Sequence, residues 1–252
     1  MLAPRRWPDS LWIVRHGQSA GNVARDAADE ASLDRIAISG RDVDVPLSAL
    51  GEKQALALGK WFGCSPAPPE VILASPYRRA IQTAEIVRAA GTSAPRAPVT
   101  LDERLREKEF GLLDGYTLAG VQNRFPEQAE ARKVLGKFYH RPPGGESWCD
   151  VILRVRSLLD TVSLHYAQRR VLIVAHQVVV LCVRYVLEGF DEQQILAIDA
   201  KADVANCSVT HYCFEGDAYA GSLRLQRYNY EVPAEGGGVV TREPDLIRGR
   251  RG

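Results

Sequence analysis

Two histidines in this chain directly follow strand-like apolar runs. The run in "LWIVRHGQ" (11–18) ends in Arg15 and His16, and the run in "VLIVAHQ" (171–177) ends in His176. A guanidinium or an imidazole is costly to bury without partners, so each run must end at the rim of a core or against a ligand. Ligands of open, largely parallel sheets bind at the carboxyl ends of the strands. The pattern therefore predicts that both imidazoles lie at one site.

A third strand-like run adds more cations. "VILASP" (71–76) leads into a helix-like segment with Arg78 and Arg79 in its first turn. Cations at that position oppose the positive end of the helix dipole, and they become favourable where an anion binds there. Solvated surface arginines are the alternative. The acid-rich segment "LDERLREKEFGLLDG" (101–115) supplies candidate carboxylates, although a charge run on its own is usually solvated.

Strand-like and helix-like segments alternate along the chain, which is typical of a sheet covered by helices on both faces. Strands are predicted at 11–14, 70–75, 171–175, 207–214 and 222–228. Helices are predicted at 48–62 with Ser48 as N-cap, at 77–90 and at 147–168. The predicted fold class is α/β, a three-layer α/β/α sandwich with a mostly parallel sheet.

Two regions interrupt this alternation. Residues 24–46 are polar and mixed, and residues 117–145 hold a helix-like piece followed by "HRPPGG". Loops of this length in a compact domain are usually functional or mobile, so we interpret the first as an insert and the second as a cap-like segment. The tail 233–252 lacks periodicity and is predicted to be flexible or packed on a partner. Residues 1–232 are assigned to one domain.

Composition and charge argue against several classes of protein. The formal net charge is +1, so no global field attracts nucleic acid or an anionic membrane. The N-terminus lacks the apolar region of a secretory signal, and no apolar stretch reaches 18 residues, which predicts a cytoplasmic protein without a membrane span. The five cysteines show neither CxxC nor zinc-like spacing, so we expect free thiols, no metal and no cofactor. A homodimer is compatible with the sequence.

The order of six sequence blocks resembles that of a known family. The blocks are "VRHGQSAGN", "PLSALGEKQA", "SPYRRAIQTAE", "LREKEFGLLDG", "GGES" and "VAHQ". Over residues 11–214 the chain resembles the histidine phosphatase superfamily, the phosphoglycerate mutase-like proteins. The resemblance implies that fold and a reaction through a phosphohistidine. Its implied site residues are the nucleophile His16, the phosphate-binding Arg15 and Arg79, the second histidine His176 and the proton donor Glu107.

The same resemblance decides between neighbouring candidates. In the family the pocket arginine immediately precedes the Ala of "RAIQT", which selects Arg79 over Arg78. The proton donor lies three residues before the aromatic–Gly pair, which selects Glu107 over Glu103 or Glu109.

Three polar residues match substrate-binding positions. Gln18 and Asn22 correspond to positions that help hold the transferring phosphoryl group. Gln177, with "RFPEQ" and "PPGGESWCDV", is similar to the bisphosphatase half of 6-phosphofructo-2-kinase/fructose-2,6-bisphosphatase. Gln177 could bind a sugar hydroxyl or a phosphate, or it could line a gate without specificity. Residues 24–46 depart from that branch of the family.

The resemblance implies a phosphomonoesterase that hydrolyses small phosphorylated metabolites without a metal. A cofactor-dependent phosphoglycerate mutase is the first alternative, and its substrate carboxylate would need basic residues such as Arg132, Lys133 and Arg141. A non-catalytic binding module of the same fold is the second.

Overall fold

The computed structural model describes residues 5–91, 97–217 and 220–233. The strands are β1 (Ser10–Arg15), β2 (Val71–Ala74), β3 (Val99–Leu101), β4 (Arg170–Ala175), β5 (Val209–Gly216) and β6 (Gly221–Tyr230). They form one sheet in the order β3-β2-β4-β1-β5-β6. The first four strands are mutually parallel, whereas the β1–β5 and β5–β6 pairs are antiparallel. The predicted mostly parallel sheet is confirmed.

Helices cover both faces of this sheet. In the described ranges they are α1 (Ala20–Glu30), α2 (Ala49–Gly63), α3 (Arg78–Ala90), α4 (Leu118–Arg124), α5 (Pro126–Tyr139), α6 (Trp148–His165), α7 (Gln177–Glu188) and α8 (Glu192–Lys201). Ser48 caps α2, as predicted, by accepting a hydrogen bond from Gly51 N. None of the helices in these ranges is long and apolar enough to cross a membrane.

Alternation along the strands divides the core into two layers. Leu11 and Ile13 of β1 pack in one cluster with α6 and α7, and Trp12 and Val14 pack in the other with α2 and α3. The stripes read from the sequence lie in these layers: Ala55, Leu58 and Phe62 on α2, Ala80, Ala84 and Val87 on α3, and Val151, Val155, Leu158 and Val162 on α6. The predicted three-layer α/β/α sandwich is therefore confirmed.

Three parts of the structure differ from the sequence-based expectation. Residues 24–46 do not form one long loop, because helix α1 continues to Glu30 behind a capping box made by Ser19 and Asn22. The cap-like segment holds two helices, α4 and α5, rather than one. The short edge strand β3 was not predicted, since its three residues are largely exposed and carry no periodicity. The predicted flexible tail, apart from Pro233, lies outside the described residues.

Candidate active site

The sheet register aligns the ends of three adjacent strands. Arg15 pairs with Ala175, and Ala74 pairs with Val174, so β1, β2 and β4 end at the same edge. The residues that follow these strands begin the site. His16 N donates to Ala175 O at 2.9 Å, and Ser75 N donates to Val174 O at 3.0 Å.

The two imidazoles meet at this edge, as the strand-end pattern predicts. The ring centroids of His16 and His176 are 5.1 Å apart with the rings inclined by 64°. Both rings are buried. Burial is the main cause that lowers the pKa of each well below its usual value, with the Arg79 guanidinium as the next cause. Both rings are consequently neutral near pH 7.

Local hydrogen bonds fix the orientation of His16. Its Nδ1 lies 2.7 Å from Gly17 O, and its Nε2 accepts from Arg79 Nε at 3.2 Å. Nδ1 therefore carries the proton, and the lone pair of Nε2 faces the guanidinium. Gly17 is required next to His16, since a Cβ there would lie 2.6 Å from Gly51 O. The ring thus presents a neutral nitrogen nucleophile beside a cation.

The two predicted arginines flank His16 and are buried. Arg15 Nη1 donates to Val204 O at 2.5 Å and to Gln177 Oε1 at 3.3 Å. Arg79 lies in the first turn of α3 and is 5% exposed, whereas its neighbour Arg78 is exposed. The resemblance-based choice of Arg79 agrees with this placement.

Glu107 is buried beside His176. Its Oε1 accepts from Lys108 N at 2.8 Å, and its Oε2 lies 3.4 Å from His176 Nδ1. Burial raises the pKa of Glu107 although the nearby Arg79 guanidinium opposes this. A carboxyl group with a raised pKa can hold a proton near neutral pH and deliver it.

Two neighbouring carboxyl groups, those of Glu103 and Glu109, are placed less well than Glu107 to act as the proton donor. Glu103 is exposed, and Glu109 accepts a hydrogen bond from Tyr77 Oη at 2.9 Å. Neither lines the cavity in front of His16, whereas Glu107 does. The geometry agrees with the choice of Glu107.

The three predicted substrate-binding residues lie in different places. Asn22 lines the cavity, and its Oδ1 accepts from Ser19 N at 2.9 Å. Gln18 accepts from Ser48 Oγ at 2.7 Å behind the cavity wall. Gln177 is buried and holds Arg15, while its Nε2 donates to Asp203 Oδ1 at 3.0 Å. Of these three, only Asn22 belongs to the cavity lining of the described structure.

The cavity in front of His16 is small, about 60 Å³. Since a single water needs at least about 10–15 Å³ of such space, the cavity admits a few waters or one small group such as a phosphoryl group. Its lining includes residues that sequence reasoning did not single out: Ser19, Gly21, Arg25, Ile38, Asp42, Phe110 and Asp114. Several come from the region 24–46, whose polar composition gave no signal for a particular position.

Supporting residues were also missed. Ser75 Oγ lies 2.8 Å from His176 Nε2, and its place at the end of β2 was the available signal. Arg154 donates to Glu107 O at 3.2 Å and to both oxygens of Glu146 at 3.0 Å. These contacts hold the backbone of Glu107 in position.

Within the described ranges, no group of three or more His, Cys, Asp or Glu side chains could hold a metal ion. The five cysteines are free thiols. The site instead combines a neutral imidazole whose Nε2 lacks a proton, two buried guanidiniums and a carboxyl group with a raised pKa at the carboxyl edge of an α/β sheet. Fold and site together define a protein suited to bind an anionic group next to a nucleophile.

The sequence profile of the histidine phosphatase superfamily (branch 1) matches residues 11–229, and the chain belongs to this family. Over 176 residues it is 31% identical to 6-phosphofructo-2-kinase/fructose-2,6-bisphosphatase of Caenorhabditis elegans, covering 70% of this chain and 33% of that protein. It is 28% identical over 227 residues to 2,3-bisphosphoglycerate-dependent phosphoglycerate mutase 2 of Gloeobacter violaceus, covering 89% and 94% of the two chains.

A solved structure of similar fold is the mycobacterial glucosyl-3-phosphoglycerate phosphatase in complex with VO3. It matches with a TM-score of 0.67 and 27% identity over 88% of this chain and 99% of that chain. The chain spans 33% of the length of the nematode relative and 54% of that of several further curated relatives.

Proposed function

We propose that this chain is a phosphomonoesterase that hydrolyses small phosphorylated metabolites through a phosphohistidine on His16. The observation that carries the proposal is the unprotonated Nε2 of His16, 3.2 Å from Arg79 Nε, in a cavity of phosphoryl size. Family membership and the similarity to a mycobacterial phosphatase support the same reaction class.

In the first step, His16 Nε2 attacks phosphorus and the bond to the leaving oxygen breaks. Phosphoryl transfer passes through a loose transition state, so positioning and charge stabilisation provide most of the catalysis. Arg15 and Arg79 neutralise the non-bridging oxygens, since guanidinium groups match phosphate geometry. His176 adds no positive charge, because burial lowers its pKa well below the usual value, and its Nδ1 lies 3.4 Å from Oε2 of Glu107, where it positions that carboxyl group. Asn22 adds a polar contact at the cavity wall.

Glu107 supplies the proton chemistry of both steps. The raised pKa of Glu107, caused by its burial, keeps the carboxyl protonated for transfer to the leaving oxygen. The resulting carboxylate then accepts a proton from the water that attacks the phosphohistidine, which releases phosphate and restores His16. Gln18 and Gln177 act indirectly in this scheme, by holding Ser48 and Arg15.

A phosphoglycerate mutase is the second candidate because the Gloeobacter mutase is 28% identical over most of both chains. The basic residues considered for a substrate carboxylate do not favour it. Lys133 is paired with Glu130, Arg141 is paired with Asp150, and neither they nor Arg132 line the cavity. Hydrolysis is therefore the reaction that we assign.

We further propose that the reaction needs no metal or cofactor and that the protein works in the cytoplasm. The mechanism above uses only side chains of this chain, and free cysteines are ordinary in a reducing compartment. The substrate is a small phosphate monoester. Sugar bisphosphates and glucosyl-phosphoglycerates are the first substrates to screen, because the chain is similar to a fructose-2,6-bisphosphatase and to a glucosyl-3-phosphoglycerate phosphatase.

The decisive experiment traps the phosphoenzyme. Rapid acid-free denaturation after mixing with a substrate, followed by mass spectrometry, should show a phosphoryl group on the peptide that contains His16. Arg79→Ala should abolish trapping, and Arg78→Ala, its exposed neighbour, is the matched control that should leave it intact. Phosphate found on a serine or cysteine, or equal effects of the two variants, would contradict the proposal.

A further inference from the structure

The anion-binding face of Arg79 is occupied by this chain's own carboxylate. Nη1 of Arg79 donates to Asp42 Oδ1 at 3.0 Å and to Asp42 O at 2.8 Å, and Nη2 donates to Asp42 Oδ2 at 3.0 Å. The remaining nitrogen, Nε, faces His16. This two-pronged contact is the one through which a guanidinium binds a phosphate.

Asp42 belongs to a short segment with fixed ends, which we term the gate loop (residues 37–45). Before it, Ile36 N donates to Gly115 O at 2.9 Å. After it, Pro46 O accepts from Ala20 N at 2.9 Å. Both ends of the gate loop are therefore hydrogen-bonded to other parts of the fold. The residues between them place Asp42 next to Arg79.

The gate loop lies against α1 and contributes Ile38 and Asp42 to the lining of the cavity. A Cβ placed on Gly21 would lie 3.2 Å from Val45 Cγ1 and 3.4 Å from Ile38 Cδ1. Gly40 has φ of +93° with no other group within 4 Å of a Cβ built there. Glycine adopts positive φ without the steric cost that other residues incur, so Gly40 allows the turn that leads the chain to Asp42.

Substrate phosphate and the Asp42 carboxylate cannot share Arg79. Both are anions that need the same two nitrogens, and like charges at this distance repel each other. The side chain of Asp42 is 36% exposed, so its carboxylate can return to water when it is displaced, whereas the side chain of Arg79 is 6% exposed and stays in place. A phosphate dianion gains Arg15 as well as Arg79, which favours the exchange.

We propose that Asp42 is an autoinhibitory gate residue: its carboxylate occupies the phosphate position on Arg79 and must be displaced by the substrate's phosphate. Asp42 thereby sets the threshold affinity that a phosphate monoester needs to enter the site. This inference rests on the proposed function, since it takes Arg79 to be a phosphate ligand.

The test measures binding of inorganic phosphate by isothermal titration calorimetry. Asp42→Asn keeps the size of the side chain but removes the competing charge, so phosphate should bind about tenfold tighter than to wild type, as expected for loss of a charge-assisted pair. The KM for a phosphate monoester should fall by a similar factor, with a smaller change in kcat. Asp44→Asn is the matched control, because Asp44 lies on the same turn but pairs with Arg41 at the surface. It should change neither quantity.

A double-mutant cycle assigns the effect to Arg79. In an Arg79→Ala background, Asp42→Asn should no longer strengthen phosphate binding. Phosphate binding lost in Arg79→Ala but unchanged or weakened in folded Asp42→Asn and Asp42→Ala would overturn the gate while leaving the phosphatase assignment intact. Equal phosphate binding by wild type and Arg79→Ala would overturn both. Circular dichroism and thermal unfolding establish that each variant is folded.

Discussion

His176 Nδ1 lies 3.4 Å from Oε2 of Glu107, and both side chains are buried. Among the described residues this nitrogen makes no hydrogen bond, while Nε2 of the same ring is held by Ser75 Oγ at 2.8 Å. Ser75 Oγ also accepts from Tyr77 N at 3.3 Å, and these contacts fix the orientation of the imidazole beside Glu107. Burial lowers the pKa of His176 and raises that of Glu107, so the two groups are neutral together. The positive charge of the site is then concentrated on the arginines.

Replacing the nucleophile should stop turnover. His16→Ala removes the nitrogen that attacks phosphorus, so kcat should fall by at least about a thousandfold, as is usual when a nucleophile is deleted. Phosphate release from a good phosphomonoester substrate measures the rate. The ring is buried but small, so circular dichroism should remain that of wild type. A folded variant that kept more than a few per cent of the wild-type rate would show that the covalent mechanism is wrong.

Loss of the proton donor should slow the hydrolysis of substrates with poor leaving groups more than that of substrates with good ones. Glu107→Gln preserves the shape but cannot transfer a proton, so alkyl phosphates should lose about a hundredfold or more in kcat/KM, the usual range for general acid catalysis. Aryl phosphates such as p-nitrophenyl phosphate need less protonation and should lose less. Glu109→Gln is the matched control, since Glu109 lies two residues away and outside the cavity lining. Equal losses for both substrate classes would point to another acid.

The strand ends and helix stripes could be predicted because they are local. Short segments of the sequence are enough to predict the alternation in β1, the N-cap at Ser48 and the positions of His16 and His176 at strand ends. The contact between Asp42 and Arg79 could not be predicted, because it depends on the path of a loop without periodicity. Gln177 presents the same difficulty, because an amide next to a histidine can face a ligand or hold Arg15. Here the backbone of Val204 decides: its N–H donates to Gln177 Oε1 and its carbonyl oxygen accepts from Arg15.

Metal removal should leave the activity unchanged. The proposed steps use imidazole, guanidinium and carboxyl groups, so activity should survive exhaustive EDTA treatment. Vanadate should inhibit competitively, because it mimics the phosphoryl group between Arg15 and Arg79. Metal analysis of the treated protein provides the control. Loss of activity on chelation with recovery on addition of a divalent ion would contradict the metal-free mechanism.

Stability should fall as the pH decreases below about 6.5. Burial lowers the pKa of four histidines, to about 4 for His140 and His211 and well below the usual value for His16 and His176. In this range the unfolded chain binds protons that the folded chain does not, so the free energy of unfolding decreases toward pH 4. Each histidine contributes at most about 1.4 kcal/mol per pH unit. Urea unfolding between pH 7.5 and 5 measures the slope.

The control for this slope is His211→Gln. His211 stacks on Trp12 with ring centroids 4.9 Å apart and is not part of the cavity lining. Its replacement should make the dependence of the unfolding free energy on pH shallower. Glu107 and Asp114 act in the opposite direction, because burial raises the pKa of each carboxyl group. The folded chain then binds protons that the unfolded chain has lost, so the free energy of unfolding decreases as the pH rises above the ordinary pKa of a carboxyl group. An unchanged slope in the variant would show that His211 is not buried in its neutral form.

The last prediction separates hydrolysis from mutase chemistry. Both begin with attack by His16, so the difference lies in what reaches the phosphohistidine next. A mutase must retain the dephosphorylated product and exclude water, which requires cations for the substrate carboxylate. Lys133 and Arg141 are instead exposed and paired with acidic neighbours.

Water should therefore be the acceptor, with Glu107 as its base. We expect steady phosphate release from phosphate monoesters and little conversion of 3-phosphoglycerate to 2-phosphoglycerate, even with 2,3-bisphosphoglycerate present. Coupled assays for free phosphate and for 2-phosphoglycerate, run on the same sample, measure both outcomes. Arg141→Ala should leave phosphate release unchanged, because Arg141 pairs with Asp150 outside the cavity lining. Mutase turnover faster than hydrolysis would instead assign the chain to the mutases, and a loss of that turnover in Arg141→Ala would identify the cation that holds the carboxylate.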